Sequence, residues 1–156
     1  MTVAVLALAA AGLVVTVAVM ALELRRLDAA EAAGAEAMAA ARAVTSDLLS
    51  YNYRTIEQDL ARAREHTTGE LSRHYDELRA TLVASAKADK KVQQATVAGA
   101  AVERATPDRV EVLVFVDLGT ITGSRQQVSH NRARLVMVRG DTGWLAAQLS
   151  TLIGSA

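Results

Sequence analysis

The hydrophobic pattern changes period twice along the chain. Residues Met1 to Leu22 hold no charged side chain, and the first acid is Glu23. As a helix rising about 1.5 Å per residue, that run covers roughly 33 Å, close to the ~30 Å hydrocarbon core of a bilayer. It predicts a transmembrane anchor over residues 1–22. A secretory signal peptide is the rival reading, with Val19-Met20-Ala21 as a weak cleavage site. It lacks the basic n-region such a peptide needs, and the apolar run is longer than a usual h-region. From Glu23 to Leu49 alanine dominates, with Glu31, Glu36 and Arg42 as spaced charges and Gly34 as the weak point. Alanine is the strongest helix former, so the anchor helix is expected to run on unbroken as a stalk or first helix of the domain. The rod from Thr2 to about Leu49 would be roughly 70 Å long.

After residue 50 the spacing becomes that of short amphipathic helices. Thr55 and Gln58 read as a capping box opening a helix through Ile56, Leu60 and Ala63; Thr67 and Glu70 open another through Leu71, Tyr75, Leu78, Leu82 and Ala86. Lys87, Lys90 and Lys91 close it with positive charge, favourable at a helix C-terminus. From Val92 the period becomes two. Gln94 to Val102 reads as a first strand, Pro107-Asp108 as a turn, and Val110, Val112, Val114 and Val116 as one face of a second strand. A loop over Gly119 to Gln127, a third strand from His130 to Arg139, a Gly140-Asp141-Thr142-Gly143 turn and a last strand from Trp144 to Thr151 complete the pattern. The expected class is α+β, three helices covering one face of a four-stranded antiparallel sheet.

Small residues within the apolar run are patterned. Ala4, Ala7, Ala11, Val14, Ala18 and Ala21 step by 3 and 4, with Gly12 and Thr16 as a small-xxx-small pair beside them. In lipid, such a seam permits close backbone approach of a second helix; an alanine-rich chain also produces such seams by composition alone. Charge adds little, because Lys plus Arg and Asp plus Glu stand at 17 each. That balance gives no global basic field for nucleic acid. The chain has no cysteine, which removes disulfides and thiolate metal sites.

One resemblance spans nearly the whole chain, Met1 to Ile153. The order of anchor, alanine-rich helix, Ser50-Tyr51-Asn52-Tyr53-Arg54-Thr55, Leu113-Val114-Phe115-Val116-Asp117, Asn131-Arg132-Ala133-Arg134-Leu135 and Gly143-Trp144-Leu145 resembles the Mce-associated membrane proteins of actinobacteria. The resemblance implies a cone-shaped NTF2-like α+β domain over residues 50–153, as in the periplasmic component of type IV secretion systems, with 154–156 as a tail. It also implies a single-pass protein of the inner membrane with an extracytoplasmic domain, beside an Mce complex that imports lipids or sterols through a permease. Arg25 and Arg26 follow the apolar run, and the positive-inside rule taken literally would place that side in the cytoplasm.

The expected function is therefore a non-enzymatic accessory subunit whose partners are the membrane, a permease and associated Mce proteins. The face of Ala4, Ala7, Ala11, Gly12, Val14, Ala18 and Ala21 would dock on a permease helix. A lipid-binding module is the alternative, its cone pocket formed by Tyr51, Tyr53, Phe115 and Trp144. A self-associating envelope protein is a second alternative. Candidate chemistry is sparse. His66 and His74 fall at helical spacing without an HExxH pattern, and Ser124 lacks the context of a nucleophile elbow. No catalytic, metal or cofactor site is expected. Tyr51, Tyr53, Asp59 and Asp117 are the only groups placed for acid–base work on such a cone. Arg125, Arg132 and Arg134 form either a partner-facing basic strip or, with Asp117, cross-strand charge pairs.

Overall fold

A computed structural model describes the backbone of residues 2–152 and the side chains of Gly12, Leu13 and residues 15–150. The N-terminal rod is one α-helix, α1 (Thr2–Leu49). A two-residue strand β1 (Tyr51–Asn52), helices α2 (Ile56–Glu65) and α3 (Gly69–Ala88), and four long strands follow: β2 (Lys91–Ala105), β3 (Arg109–Thr122), β4 (Arg125–Gly140) and β5 (Gly143–Leu152). The strands form one antiparallel meander in the order β1-β2-β3-β4-β5.

The class is α+β with three helices, but the sheet has five strands where four were expected. Tyr51-Asn52 reads as a helix break in sequence, and pairs instead with Gln93 and Val92. The expected loop from Gly119 is also absent. β3 and β4 stay paired to Thr122 and Arg125, and only Gly123-Ser124 turns, with Gly123 at φ 60°. That angle suits glycine, and it lets a two-residue connection join two long strands.

The core lies where α1 crosses the sheet. Ala33, Ala37, Ala41, Val44 and Leu48 step by 4, 4, 3 and 4 along one helix face, and all five are buried. Opposite them stand Val110, Val112, Val114 and Val116 of β3 and Ala133, Leu135 and Met137 of β4, all buried. Three of the five helix residues are alanines, so the backbone of α1 lies close to the strands. The sheet curls around it, helped by irregularities between Val97 and Gly99, between Val102 and Arg104, and between Val136 and Met137, since bulges bend and twist a strand. A smaller cluster of Tyr51, Ile56, Leu60 and Ala86 seats α2 on α3. The outer edge of β5 is covered by the α2–α3 connection, where Ala146 donates to the His66 carbonyl and accepts from Thr68 N–H, both at 2.9 Å. Such cover blunts an edge that could otherwise recruit another strand.

Neither expected capping box closes through its side chain. Thr55 and Thr68 occupy the N-cap positions of α2 and α3 without side-chain cap bonds. Thr55 Oγ1 donates instead to Asp59 Oδ2. Thr67, the expected cap, is buried one residue earlier and donates to the Arg64 carbonyl.

The expected anchor lies mostly outside the described side chains, including those of Ala4, Ala7, Ala11 and Val14. Among the described residues no helix is long and apolar enough to cross a membrane. That stretch opens at Gly12 and soon meets Glu23, Arg25, Arg26 and Asp28. Gly12, Ala18 and Ala21 are exposed, and no atom outside its own helix turn approaches the position of a Cβ on Gly12.

Gly34 tests the closeness of the helix–sheet contact. A Cβ there would meet Ala105 Cβ at 3.5 Å and Val102 at 3.7 Å, ordinary contact distances. Gly34→Ala should therefore stabilise the chain by about 0.5–1 kcal/mol through helix propensity. Ala37→Leu should instead cost roughly 1–3 kcal/mol by overpacking. Thermal unfolding in mild detergent, read through the signal of Trp144, checks both signs.

Candidate functional site

The segment Ser50 to Arg62 folds around one carboxylate. α1 must end where the chain turns into β1, and the last carbonyls of a helix need partners. Tyr75 Oη donates to the Leu48 carbonyl at 2.6 Å, and Gln93 Nε2 donates to the Leu49 carbonyl at 2.8 Å. Ser50 Oγ accepts the Ala95 N–H at 2.9 Å. Asp59, one turn into α2, then gathers the bend: Oδ2 accepts the Asn52 N–H at 3.0 Å and the Thr55 hydroxyl at 2.9 Å, while Arg62 donates to Oδ1 at 2.5 Å. The Asp59 side chain is only 14% exposed, and Asn52 Oδ1 accepts the Arg54 N–H to tighten the same turn. A hydrogen bond to an ionised group contributes about 1.5–3 kcal/mol. The Ser50–Thr55 motif is thus the joint that fixes the end of α1 to the sheet.

Tyr75, and neither Tyr51 nor Tyr53, places its hydroxyl on the end of α1. It is largely buried, and desolvation raises its phenol well above the ordinary 10.0. It therefore stays neutral and donating at any physiological pH. Tyr53 instead accepts from Arg54 Nε at 2.9 Å, with the guanidinium 5.4 Å from the ring centre. Tyr51 is buried against Ile56, Leu60 and Ala86.

The four aromatics expected to line a pocket are not brought together. Tyr51 and Tyr53 sit at the α1–β1 bend. Phe115 points outward from β3, 42% exposed, because its neighbours Val114 and Val116 take the inner face. Its ring lies over Gly99 of β2, where a Cβ would come within 3.7 Å. Trp144 packs farther back along α1, at the other end of its contact with the sheet, where its indole N–H donates to Glu36 Oε2 at 3.2 Å. Arg139 donates to the same oxygen at 2.9 Å and stacks 4.6 Å from the Trp144 ring centre. These bonds, the indole first, hold the Glu36 carboxyl below its ordinary value of 4.5.

The outer face of the sheet carries Arg132 and Arg134. Asp117 faces His130, with Oδ1 and Nδ1 2.6 Å apart. Arg134 faces Leu113 and reaches over it to Glu103 of β2, donating through Nη2 at 3.0 Å. That contact lowers the Glu103 pKa, the hydrogen bond contributing more than the charge. Arg132 stands opposite Phe115 on this face, whereas Arg125, opposite Thr122, alternates onto the other face with Ala133, Leu135 and Met137. Arg134 and Asp117 are thus paired, though with Glu103 and His130 rather than with each other. These longer cross-strand pairs carry no periodic signature, so the sequence does not name the partners.

Three open depressions mark the described surface. One of about 550 Å³ lies between α3 and β5, lined by Glu70, Leu71, Arg73, His74, Glu77 and Gln148 among others. A second, about 390 Å³, lies beside Glu57 of α2 and Asp76, Arg79, Ala80, Val83 and Ala84 of α3, with a mostly apolar wall. A third, about 310 Å³, lies over the α1–β1 bend beside Asp47, Asn52, Asp59 and Gln93. The first and third have mostly polar walls. The cone interior itself is filled by Val110, Val112, Val114, Leu135 and Met137, each at 0% exposure. His66 lies 3.6 Å from Asp47, away from His74 in the larger depression. Among the described residues no group of three or more His, Asp or Glu side chains is arranged to hold a metal ion.

The largest apolar surface among the described residues is on α1 itself. Leu13, Val15, Val17, Val19, Met20, Leu22, Leu24 and Leu27 are all exposed.

No protein-family model matches the chain. Over 117 residues it is 34% identical to Uncharacterized protein Rv1362c of Mycobacterium tuberculosis, a match covering 73% of this chain and 53% of that protein. The chain thus spans about half the length of that relative. Over 126 residues it is 32% identical to Outer membrane protein Rv1973 of the same species, covering 79% of this chain and 78% of that one. Among solved structures, an IcmL-like type IV secretion system protein from Legionella pneumophila superposes with a TM-score of 0.67 at 10% identity, covering 78% of this chain and 94% of that one. The periplasmic domain of DotI superposes with a TM-score of 0.61 at 16% identity, covering 76% and 93%. These superpositions establish a shared fold, the NTF2-like one.

Glu36 gives the site a pH signature. Its carboxyl is depressed in the folded chain, so its contribution is complete above 4.5 and is lost as pH falls through the lowered native value. Fluorescence of Trp144, the one tryptophan, should titrate with a midpoint below 4.5. Glu36→Gln should abolish that transition; an unchanged titration in the variant would assign it elsewhere.

Proposed function

This chain belongs to the family of Outer membrane protein Rv1973 from Mycobacterium tuberculosis, and on that basis we propose that it is a membrane-anchored, non-catalytic accessory subunit of a cell-envelope complex. The finer reading is an Mce-associated protein that stabilises or regulates a lipid-import machine. Its N-terminal helix crosses the inner membrane beside a permease helix, and its NTF2-like domain stands on the extracytoplasmic side. The observation that carries this reading is the continuity of α1. The helix whose N-terminal half is an apolar cylinder is the same helix whose alanine face forms the core of the domain.

Two further observations support it. The polar groups that an enzyme on this fold would use are occupied in joints: Asp59 at the Asn52 bend, Tyr75 on the end of α1, Asp117 on His130. The interior of the cone is packed by side chains from β3 and β4, which leaves cargo little room. A protein built this way acts through its surfaces. Relatives named for the outer membrane and structural neighbours described as periplasmic agree with an envelope location.

Affinity purification of the tagged chain from its native membrane in mild detergent, followed by mass spectrometry, tests the assignment. A permease, an ATPase and Mce-type proteins should be recovered in stable ratio. Recovery of the chain alone would overturn it. Recovery with bound lipid and no protein would favour the lipid-binding module.

A further inference from the structure

The exposed side of α1 carries a seam that outlasts the apolar cylinder. Leu13, Val17, Met20, Leu24 and Leu27 step by 4, 3, 4 and 3 and are all exposed. That spacing is the a/d repeat of a helix pairing with another helix. Between Leu13 and Leu22 exposed large apolar side chains also lie off the seam, at Val15, Val19 and Leu22, which lipid alone explains. Beyond Glu23 they are confined to the seam: Leu24 is 61% and Leu27 64% exposed, among Glu23, Arg25, Arg26 and Asp28. At 3.6 residues per turn, the seam lies roughly 120° around α1 from the face of Ala33, Ala37 and Ala41 that the sheet buries. The domain therefore leaves it uncovered.

The charges around the seam choose its occupant. Glu23 immediately precedes Leu24, and Asp28 immediately follows Leu27, the flanking positions that meet their counterparts across a helix pair. Glu31, four residues after Leu27, takes the next seam position and is exposed. In a parallel pair of identical chains, Glu31 would face itself and Glu23 would face Asp28 of the other copy. Such like-charge contacts destabilise pairing. Arg26 reaches Glu23 at 3.6 Å, but both side chains are well exposed, so this pair screens little. Arg25 and Arg26 point to the far side of the helix.

We infer that the Leu13–Leu27 seam docks a helix of another protein, one with an apolar stripe that continues about one and a half turns past the apolar stretch and carries Lys or Arg at its flanks, and that it does not dock a second copy of this chain. This deepens the accessory-subunit reading by naming the docking face and the chemistry of the partner helix, and it rests on that reading.

A charge-reversed copy serves as the probe. The full chain and its Glu23→Lys, Asp28→Lys, Glu31→Lys variant should each sediment as a monomer in excess detergent. Mixed at low salt they should form a one-to-one complex. High salt should weaken that complex, and Leu24→Ser with Leu27→Ser in the unreversed chain should weaken it at least about tenfold by removing both leucines from the contact. A dimer of the unreversed chain alone would overturn the inference in favour of self-association. Absence of a complex in the mixture, or a complex indifferent to the leucine substitutions, would overturn the seam. The complex forming while native purification yields no partner would uphold the seam and defeat only the accessory-subunit assignment.

Discussion

The close approach of α1 to the curled sheet is the constraint on which the rest depends. It requires small side chains at Ala33, Ala37 and Ala41 and room at Gly34 over Val102 and Ala105. Larger residues there would hold the helix away from Val112, Val114 and Leu135. Two polar joints fix the helix at both ends of this contact. At one end Glu36 holds Arg139 and Trp144 together. At the other, Tyr75 and Gln93 take the last carbonyls of α1, while Asp59 gathers the bend that follows. With both ends tied, the helix cannot swivel independently of the domain.

From that constraint the functional reading follows. A helix that is packed into the domain from Ala33 to Leu48 and continues unbroken beyond it carries the position of the domain into its exposed N-terminal part. The domain contributes a fixed platform whose polar groups are engaged in holding the platform together. The helix contributes an exposed apolar surface.

Much of this was legible in the residues. The alanine run from Glu23, the valine alternation of β3 and the Gly140–Gly143 turn each became the element it predicted. The misses have a common cause. β1 is two residues long, too short to show alternation, and exists because Gln93 and Val92 offer an edge. The β3–β4 hairpin was cut short because Gly119 and polar Thr120, Thr122 and Gln126 look like a loop when the partner strand is unseen. The four aromatics named for a pocket lie apart in the fold. Scarce aromatics invite grouping, but Phe115 alternates with Val114 and Val116 and so must face outward. Tyr75 was legible as a helix residue and not as the cap of α1, since the two lie 27 residues apart.

The claim that the exposed N-terminal stretch and the domain share one unbroken helix can be measured directly. The chain has no cysteine, so cysteines placed at the exposed positions Val19 and Arg42 give two unambiguous spin-label sites in a reconstituted bilayer. An unbroken α1 predicts a single narrow distance distribution near 35 Å, set by about 1.5 Å of rise per residue. A broad or markedly shorter distribution would mean that the helix bends between bilayer and domain, and would contradict the account.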